Sequence, residues 1–94
     1  MDYLLFSFDP LGYPLWREGE GPGSDWPIDV DEFTKKKILQ WNENAFPLIT
    51  SPEKIPINQL RERLIELNAQ GHKIASELSS DNILVRYLDE IVPE

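Results

Sequence analysis

The sequence predicts an α+β fold with two layers, in which a small antiparallel or mixed sheet of about three strands carries two helices on one face. Short apolar runs near the two ends of the chain are typical of strands, and a turn containing proline and glycine follows the first run. Between these runs, apolar residues recur at helical spacing in two longer segments. The predicted order is β-β-α-α-β, with the first and last strands adjacent, and 94 residues suit a single domain, residues 1–94.

A β-hairpin is predicted at the N-terminus, over residues 3–17. The run from Tyr3 to Phe8 is almost entirely apolar, which indicates a strand that is buried on both faces. Asp9-Pro10-Leu11-Gly12 then has the residue preferences of a type I turn. Residues 13–17 are therefore expected to return as an antiparallel strand.

The next segment, residues 18–28, is rich in glycine and proline and is predicted to be a loop. A first helix is predicted over residues 29–45, because Asp29 and Glu32 have the spacing of a capping box and Pro47 is expected to end the helix. Its apolar positions at helical spacing are Val30, Phe33, Ile38, Trp41 and Ala45.

A second helix is predicted over residues 57–79, and its apolar stripe passes through Gly71. Glycine costs about 1 kcal/mol inside a helix relative to alanine. Its position on the buried stripe therefore predicts the close approach of another backbone, from the sheet or from the first helix. Residues 83–88 are predicted to form the last strand.

The composition bears on several classes of function. The chain has no cysteine, which excludes disulfides and thiolate metal sites and favours a reducing compartment, so a cytoplasmic location is expected. No export signal or membrane-spanning segment is predicted. The formal net charge of -8 opposes binding to nucleic acid and to anionic membranes, and it favours a protein partner with a basic surface. The alternative is that the acidity serves solubility alone.

No catalytic, metal-binding or cofactor-binding constellation is predicted. His72 is the single histidine and Ser76 lies one helical turn away, but no carboxylate at helical spacing would orient the imidazole. Asp29, Asp31 and Glu32 form the densest acidic cluster, yet they lack the pattern of a calcium loop. Carboxylates at the start of a helix are favoured by capping and by the helix dipole. These three acids are therefore interpreted as helix-start residues and not as metal ligands.

Two further motifs receive structural interpretations. The glycines at positions 19, 21 and 23 alternate with acidic residues, which oppose the binding of phosphate. Lys35-Lys36-Lys37 would spread over about 200° of a helix. The three lysines are therefore expected to form a solvated face and no flat basic patch.

Acidic residues are concentrated in the first third of the chain, where eight of them precede residue 33 and Arg17 is the only base. An acidic loop around an aromatic anchor suits recognition of a basic surface, because carboxylates accelerate encounter and the ring supplies buried area. The alternative is that Trp26 covers the core and that the acids are only solvated. The residues predicted to bind a partner, called the acidic pole below, are Trp16, Glu18, Glu20, Asp25, Trp26, Asp29, Asp31 and Glu32.

Several motifs along the chain resemble those of a known class of proteins. They are Leu15-Trp16 before the acidic loop, Leu39-Gln40-Trp41-Asn42, the segment from Gly71 to Leu78, and Ile83-Leu84-Val85-Arg86-Tyr87. In these segments the chain is similar to small bacterial immunity proteins of polymorphic or contact-dependent toxin systems. The resemblance implies a protein that binds and blocks a toxin domain in the cytoplasm of the producing cell. It implies no catalytic residue and assigns no binding site.

The leading hypothesis is therefore a non-enzymatic immunity protein that neutralises a cognate toxin through its acidic surface. An adaptor or regulatory subunit that binds another protein through its helix pair is the alternative, and a small hydrolase using His72 is the third hypothesis. The sequence leaves the oligomeric state open, since a free edge strand could pair two copies.

Overall fold

The computed structural model describes residues 1–23 and 25–94. Strands β1 and β2 are followed by helices α1 and α2 and by strand β3, which confirms the predicted order β-β-α-α-β. The elements are β1 Asp2–Phe6, β2 Leu15–Arg17, α1 Glu32–Thr50, a single 3-10 turn Pro52–Lys54, α2 Ile57–Leu78 and β3 Ile83–Tyr87. The predicted loop over residues 18–28 includes Ser24, which lies outside the described residues.

The sheet has the strand order β2-β1-β3, so the first and last strands are adjacent as predicted. β1 pairs antiparallel with β2 and parallel with β3, which makes the sheet mixed. The parallel connection is possible because both helices lie between β1 and β3 in the chain and provide the long crossover that parallel strands need. The predicted fold class is confirmed.

β1 is buried on one face only, and the prediction that both faces are covered is wrong. Leu4 and Phe6 are almost completely buried, whereas Tyr3, which precedes Leu4, is 54% exposed. Side chains alternate between the two faces of a strand, and both helices cover the same face of this sheet. Within the described residues no second layer covers the opposite face, whose exposed side chains include Leu84 and Arg86.

Helix α1 begins later than predicted. Its N-cap is Asp31, whose Oδ1 accepts a hydrogen bond from the Thr34 backbone N–H at 2.8 Å, whereas the predicted capping box used Asp29 and Glu32. A capping side chain reaches the backbone of the third helical residue, so either aspartate suits the pattern and the sequence alone does not choose between them. Because of this later start, Phe33 lies in the first turn and is 74% exposed, outside the core.

The same helix continues through Pro47, which was predicted to end it. Proline removes the hydrogen bond to the carbonyl four residues earlier, here that of Glu43. Glu43 is exposed, so water can reach its carbonyl group. The turn after the proline also buries Leu48 against the core, and this burial favours continuation of the helix to Thr50.

Helix α2 agrees with its predicted bounds to within one residue, and Gly71 is buried on its stripe. The group that approaches Gly71 is the side-chain ring of Tyr87 in β3. The prediction of a close neighbour from the sheet was therefore correct, but the neighbour is a side chain and not a backbone. The Trp41 indole N–H donates to the Leu67 carbonyl at 3.0 Å and joins α1 to α2.

The outer edge of β3 is partly closed by the residues that precede it. The Val85 backbone N–H donates to the Ser79 hydroxyl at 3.0 Å, and the Ser80 N–H donates to the Ile83 carbonyl at 2.8 Å. Each of these bonds uses a group that a second strand would otherwise need for pairing. In the described ranges, no helix combines the length and the apolar composition required to cross a membrane.

Candidate functional site

The loop that carries most of the acidic pole is attached to the sheet through Arg17. The Arg17 guanidinium donates to the Pro27 carbonyl at 2.8 Å and forms an ion pair with Asp2 at 2.7 Å. The first bond holds the end of the loop beside β2, and the second fixes the guanidinium on the neighbouring strand. Arg17 is the only basic side chain among the first 32 residues, and these two contacts use it to hold the loop against the sheet.

Two of the predicted carboxylates meet the two tryptophans in one cleft. Glu20, Asp25, Trp16 and Trp26 all line this cleft, which has a volume of about 400 Å³. Trp16 pairs with Leu5 on the sheet face opposite the helices and is half-buried. The cleft therefore presents aromatic surface beside two exposed acids, which is the combination expected for contact with a basic protein surface.

Trp26 lies between the hydrophobic core and the cleft. Its ring is partly buried and packs against the hydrophobic core, and it also lines the cleft. The Lys35 ammonium lies 5.7 Å from the ring centroid, within range of a cation–π contact. Packing on the core and this contact hold Trp26 in place, so the aromatic part of the acidic pole is preorganised.

Three other acids of the pole are engaged by groups within the chain. Glu18 pairs with Arg86 of β3 at 3.0 Å across the open face of the sheet. Asp31 caps α1, and the hydrogen bonds from Thr34 hold the pKa of its carboxyl below the ordinary value. Glu32 contacts Lys35 at 3.4 Å. Glu18 and Glu32 each face a cation of the chain, which reduces the charge they present to a partner, whereas Asp31 is held by the uncharged Thr34 and keeps its charge.

Glu20, Asp25 and Asp29, called the solvated carboxylates below, are the acids of the pole that no ion pair or capping contact engages in the described residues. All three are exposed, and within residues 1–23 and 25–94 none of them forms an ion pair. The structure thus divides the six acids of the pole into an engaged half and a solvated half. The solvated half lies at the cleft and where the loop approaches α1.

His72 has a partner that sequence spacing did not reveal. Its Nε2 lies within hydrogen-bonding distance of the carboxylate of Asp89, which follows β3, and its ring packs edge-on against Tyr87 at a centroid distance of 4.9 Å. Both side chains of the pair are 59% exposed. Among the described residues no hydroxyl group hydrogen-bonds to the imidazole, so Ser76 and His72 do not form a nucleophile–base pair in this geometry. Sequence spacing could not predict this contact, because His72 and Asp89 are brought together only by the packing of α2 against β3.

The C-terminal segment after β3 lies along α2. The Asn68 amide donates to the Glu90 carbonyl at 2.9 Å and accepts from the Glu90 N–H at 2.9 Å, and the Arg61 Nε donates to the Pro93 carbonyl at 3.0 Å. This attachment leaves the Glu90 side chain half-buried. Burial raises the pKa of the Glu90 carboxyl above its ordinary value of 4.5.

Replacing Glu90 with glutamine is expected to stabilise the protein slightly at neutral pH. Since the carboxyl is harder to ionise in the folded chain, wild-type stability falls as the pH rises through the folded-state pKa. Well below pH 4.5 the Glu90 carboxyl is protonated in both the folded and the unfolded state, so the cost of holding a half-buried carboxylate disappears. Urea unfolding should show a gain of less than about 1 kcal/mol at neutral pH, because solvent screens a partly exposed group. The gain should vanish in acid, and a gain that persisted there would contradict this account.

A second concave surface lies between the two helices and is called the helix groove below. Trp41 and Ile74 form its buried floor, and its volume is about 530 Å³. The residues around this floor are Phe33, Lys36, Lys37, Gln40, Asn44, Gln70 and Lys73. Lys35 lies away from the groove, over Trp26, while the next two lysines line it. The lysine triplet is thus divided between two surfaces. Lys73 of α2 adds a third lysine to the groove, and the sequence did not indicate this basic surface.

In the part of the chain that the structure describes, no group of three or more histidine, aspartate or glutamate side chains is placed to hold a metal ion. No protein-family model, curated protein or solved structure matches this chain.

Proposed function

We propose that this chain is an immunity protein that binds a cognate bacterial toxin domain and blocks it through the acidic pole. The observation that carries the proposal is a cleft in which the solvated carboxylates Glu20 and Asp25 accompany two tryptophans, with Asp29 exposed farther along the same loop. The resemblance of several sequence motifs to immunity proteins supports it, and so does the net charge of -8.

The carboxylates and the tryptophan rings have different roles in binding. Exposed carboxylates steer a basic partner during encounter and raise the association rate, with an effect that salt screens. Tryptophan rings supply contact area once the partner has docked. Toxin domains that act on nucleic acid have a positively charged cleft, and carboxylates held in place by Arg17 and by Trp26 packing can occupy it in competition with phosphates.

A triple substitution at the solvated carboxylates is expected to slow binding strongly. Changing Glu20, Asp25 and Asp29 to lysine should reduce the association rate with the purified product of the adjacent gene, the expected toxin, by about tenfold or more at low salt. The matched control has the same charge change at three exposed acids away from both surfaces, Glu53, Glu62 and Asp81. Surface plasmon resonance measures both rates, and the control should lose much less than the triple variant.

Two further measurements test the proposal, the salt dependence of association and the protection of cells from the toxin. Wild-type association should slow markedly between low and physiological ionic strength, and the triple variant should lose that dependence. Cells that express the toxin should be protected by the wild type and by the control, but less by the triple variant. Equal binding of the triple variant would favour an adaptor that docks through its helices, and absence of binding to the toxin domain would reject the proposal.

A further inference from the structure

The helix groove is an open, partly apolar surface with a hydrogen-bonding rim. Trp41 is 2% exposed and Ile74 is 5% exposed at its floor. The first turn of α1 and residue 44 are eleven positions apart, so at 1.5 Å per residue the groove runs for about 16 Å along the helix. A channel of this length accommodates several residues of an extended chain.

The groove is positively charged although the whole chain is acidic. It contains Lys36, Lys37 and Lys73. Lys37 pairs with Glu77 at 2.8 Å, and this hydrogen bond holds the pKa of Glu77 below its ordinary value. Within the described ranges Lys36 and Lys73 form no ion pair. Two solvated ammonium groups therefore border the groove, one on each helix.

Phe33 adds an apolar group at the rim of the groove. It is 74% exposed, and the Lys37 ammonium lies 5.9 Å from its ring centroid. The ring makes no contribution to the buried core. An exposed phenylalanine next to a groove with an apolar floor offers contact area to a docked apolar side chain.

The amide side chains at the rim provide one donor and one acceptor. The Gln40 Nε2 donates to the Asn44 Oδ1 at 2.9 Å. Among the described residues, the Gln40 Oε1 and the Asn44 Nδ2 have no further hydrogen-bond partner. A peptide backbone carries both kinds of complementary group, an N–H and a C=O, at every residue except proline. Nucleic-acid and lipid phosphates offer acceptors alone.

From these observations we infer that the helix groove docks an extended acidic segment of a partner protein that carries an apolar side chain. The apolar side chain lies on Phe33 and the floor, the carboxylates of the segment pair with Lys36 and Lys73, and its backbone bonds to the rim amides. A net charge of -8 repels a uniformly charged polyanion at long range, whereas a short acidic segment brings far less charge. The groove shares no residue with the acidic pole, which it adjoins at Glu32 and Phe33, so the inference does not rest on the proposed toxin binding.

The test is an NMR titration of the full chain, labelled with ¹⁵N, with a short synthetic peptide of alternating glutamate and serine around one central phenylalanine. Binding should shift the amide signals of Phe33, Gln40 and Gln70 and the indole signal of Trp41. Lys36→Glu and Lys73→Glu should each weaken the affinity by about threefold or more, because each change replaces an attraction by a repulsion.

Matched controls separate this site from general charge effects. Lys54→Glu has the same charge change at an exposed position outside the groove and should leave the affinity nearly unchanged. Phe33→Ala should weaken binding while the dispersion of the spectrum shows an intact fold, since the ring lies outside the core. A peptide with lysine in place of glutamate should not shift the groove signals.

Several outcomes would overturn the inference. The groove signals could stay unmoved by the acidic peptide, or Lys54→Glu could weaken binding as much as the groove variants. Phosphatidylserine vesicles or single-stranded oligothymidine could shift the same signals at lower concentration than the peptide does. Either of those last results would assign the groove to a membrane or to nucleic acid instead.

Discussion

Replacing Gly71 with valine is expected to destabilise the protein by about 3 kcal/mol, because the new side chain would overlap a ring that cannot move aside. A Cβ atom at this position would lie within the van der Waals radius of the Tyr87 ring, 2.7 Å from Cδ1 and nearer still to the next ring carbons. Gly71→Ala should also be destabilising, even though alanine is favoured over glycine inside a helix by about 1 kcal/mol.

The Tyr87 ring is fixed on several sides. Its hydroxyl donates to the Asn68 Oδ1 at 2.7 Å, and its centroid lies 5.6 Å from those of Phe6 and Trp41. Burial also raises the pKa of the Tyr87 hydroxyl, with a smaller contribution from the nearby Glu90 and Asp89 carboxylates, so it stays protonated as a donor. Because protein interiors are close-packed, displacing this ring would disturb its neighbours in both layers.

A double-mutant cycle measured by urea unfolding isolates the contact. Gly71→Ala should lower the free energy of unfolding in the wild-type background and should be neutral or mildly stabilising when Tyr87→Leu has removed the ring. Gly23→Ala is the matched control, because a Cβ there meets no heavy atom within 4 Å and the backbone φ is not positive. If Gly71→Ala stabilised the protein with Tyr87 present, the steric account would be wrong.

Most of the fold follows from local patterns that the sequence displays. The helical spacing around Gly71 predicted α2, and the turn at Asp9-Pro10-Leu11-Gly12 predicted the hairpin, where the Gly12 N–H bonds to the Asp9 carbonyl at 3.0 Å. The errors came where tertiary packing decides. Pro47 is tolerated because the turn that follows it is buried, and Tyr3 is exposed because no layer covers the second face of the sheet.

The candidate sites were harder to predict from the sequence, because they too depend on tertiary packing. Acidic residues and tryptophans could be located, but which acids stay solvated depends on partners far along the chain. Arg86 neutralises Glu18 from a distance of 68 positions. The helix groove depends on Lys73 of α2 lying beside Lys36 of α1, and no spacing within either helix indicates that arrangement.

Replacing Asn42 with alanine is expected to destabilise the protein by about 2 kcal/mol, since the buried Asp9 N–H would lose its partner and the Asp9 carbonyl would keep only the bond from the Gly12 N–H. Asn42 is 6% exposed on α1, its Oδ1 accepts from the Asp9 N–H at 3.0 Å, and its Nδ2 donates to the Asp9 carbonyl at 2.8 Å. Asp9 in turn accepts the Tyr13 N–H at 2.9 Å through its carboxylate. A single amide therefore attaches the hairpin turn to α1 from 33 positions away.

Two substitutions distinguish this hydrogen-bond account from a general effect of changing the helix. Asn44→Ala is the matched control, because Asn44 lies on the same helix but is exposed, and it should cost less than about 0.5 kcal/mol in urea unfolding. Asn42→Asp keeps the acceptor for the Asp9 N–H but sets a carboxylate against the Asp9 carbonyl, which removes the donor.

The Asn42→Asp variant should therefore be destabilised at neutral pH and should recover part of the loss, relative to wild type, as the pH falls. Protonation restores an O–H donor toward the Asp9 carbonyl, so the folded state raises the pKa of the introduced carboxyl and the penalty lies above that pKa. Asn42→Ala offers no such donor at any pH. If both variants showed the same pH dependence, the loss would have to arise from packing around Asn42 and not from its bonds to Asp9.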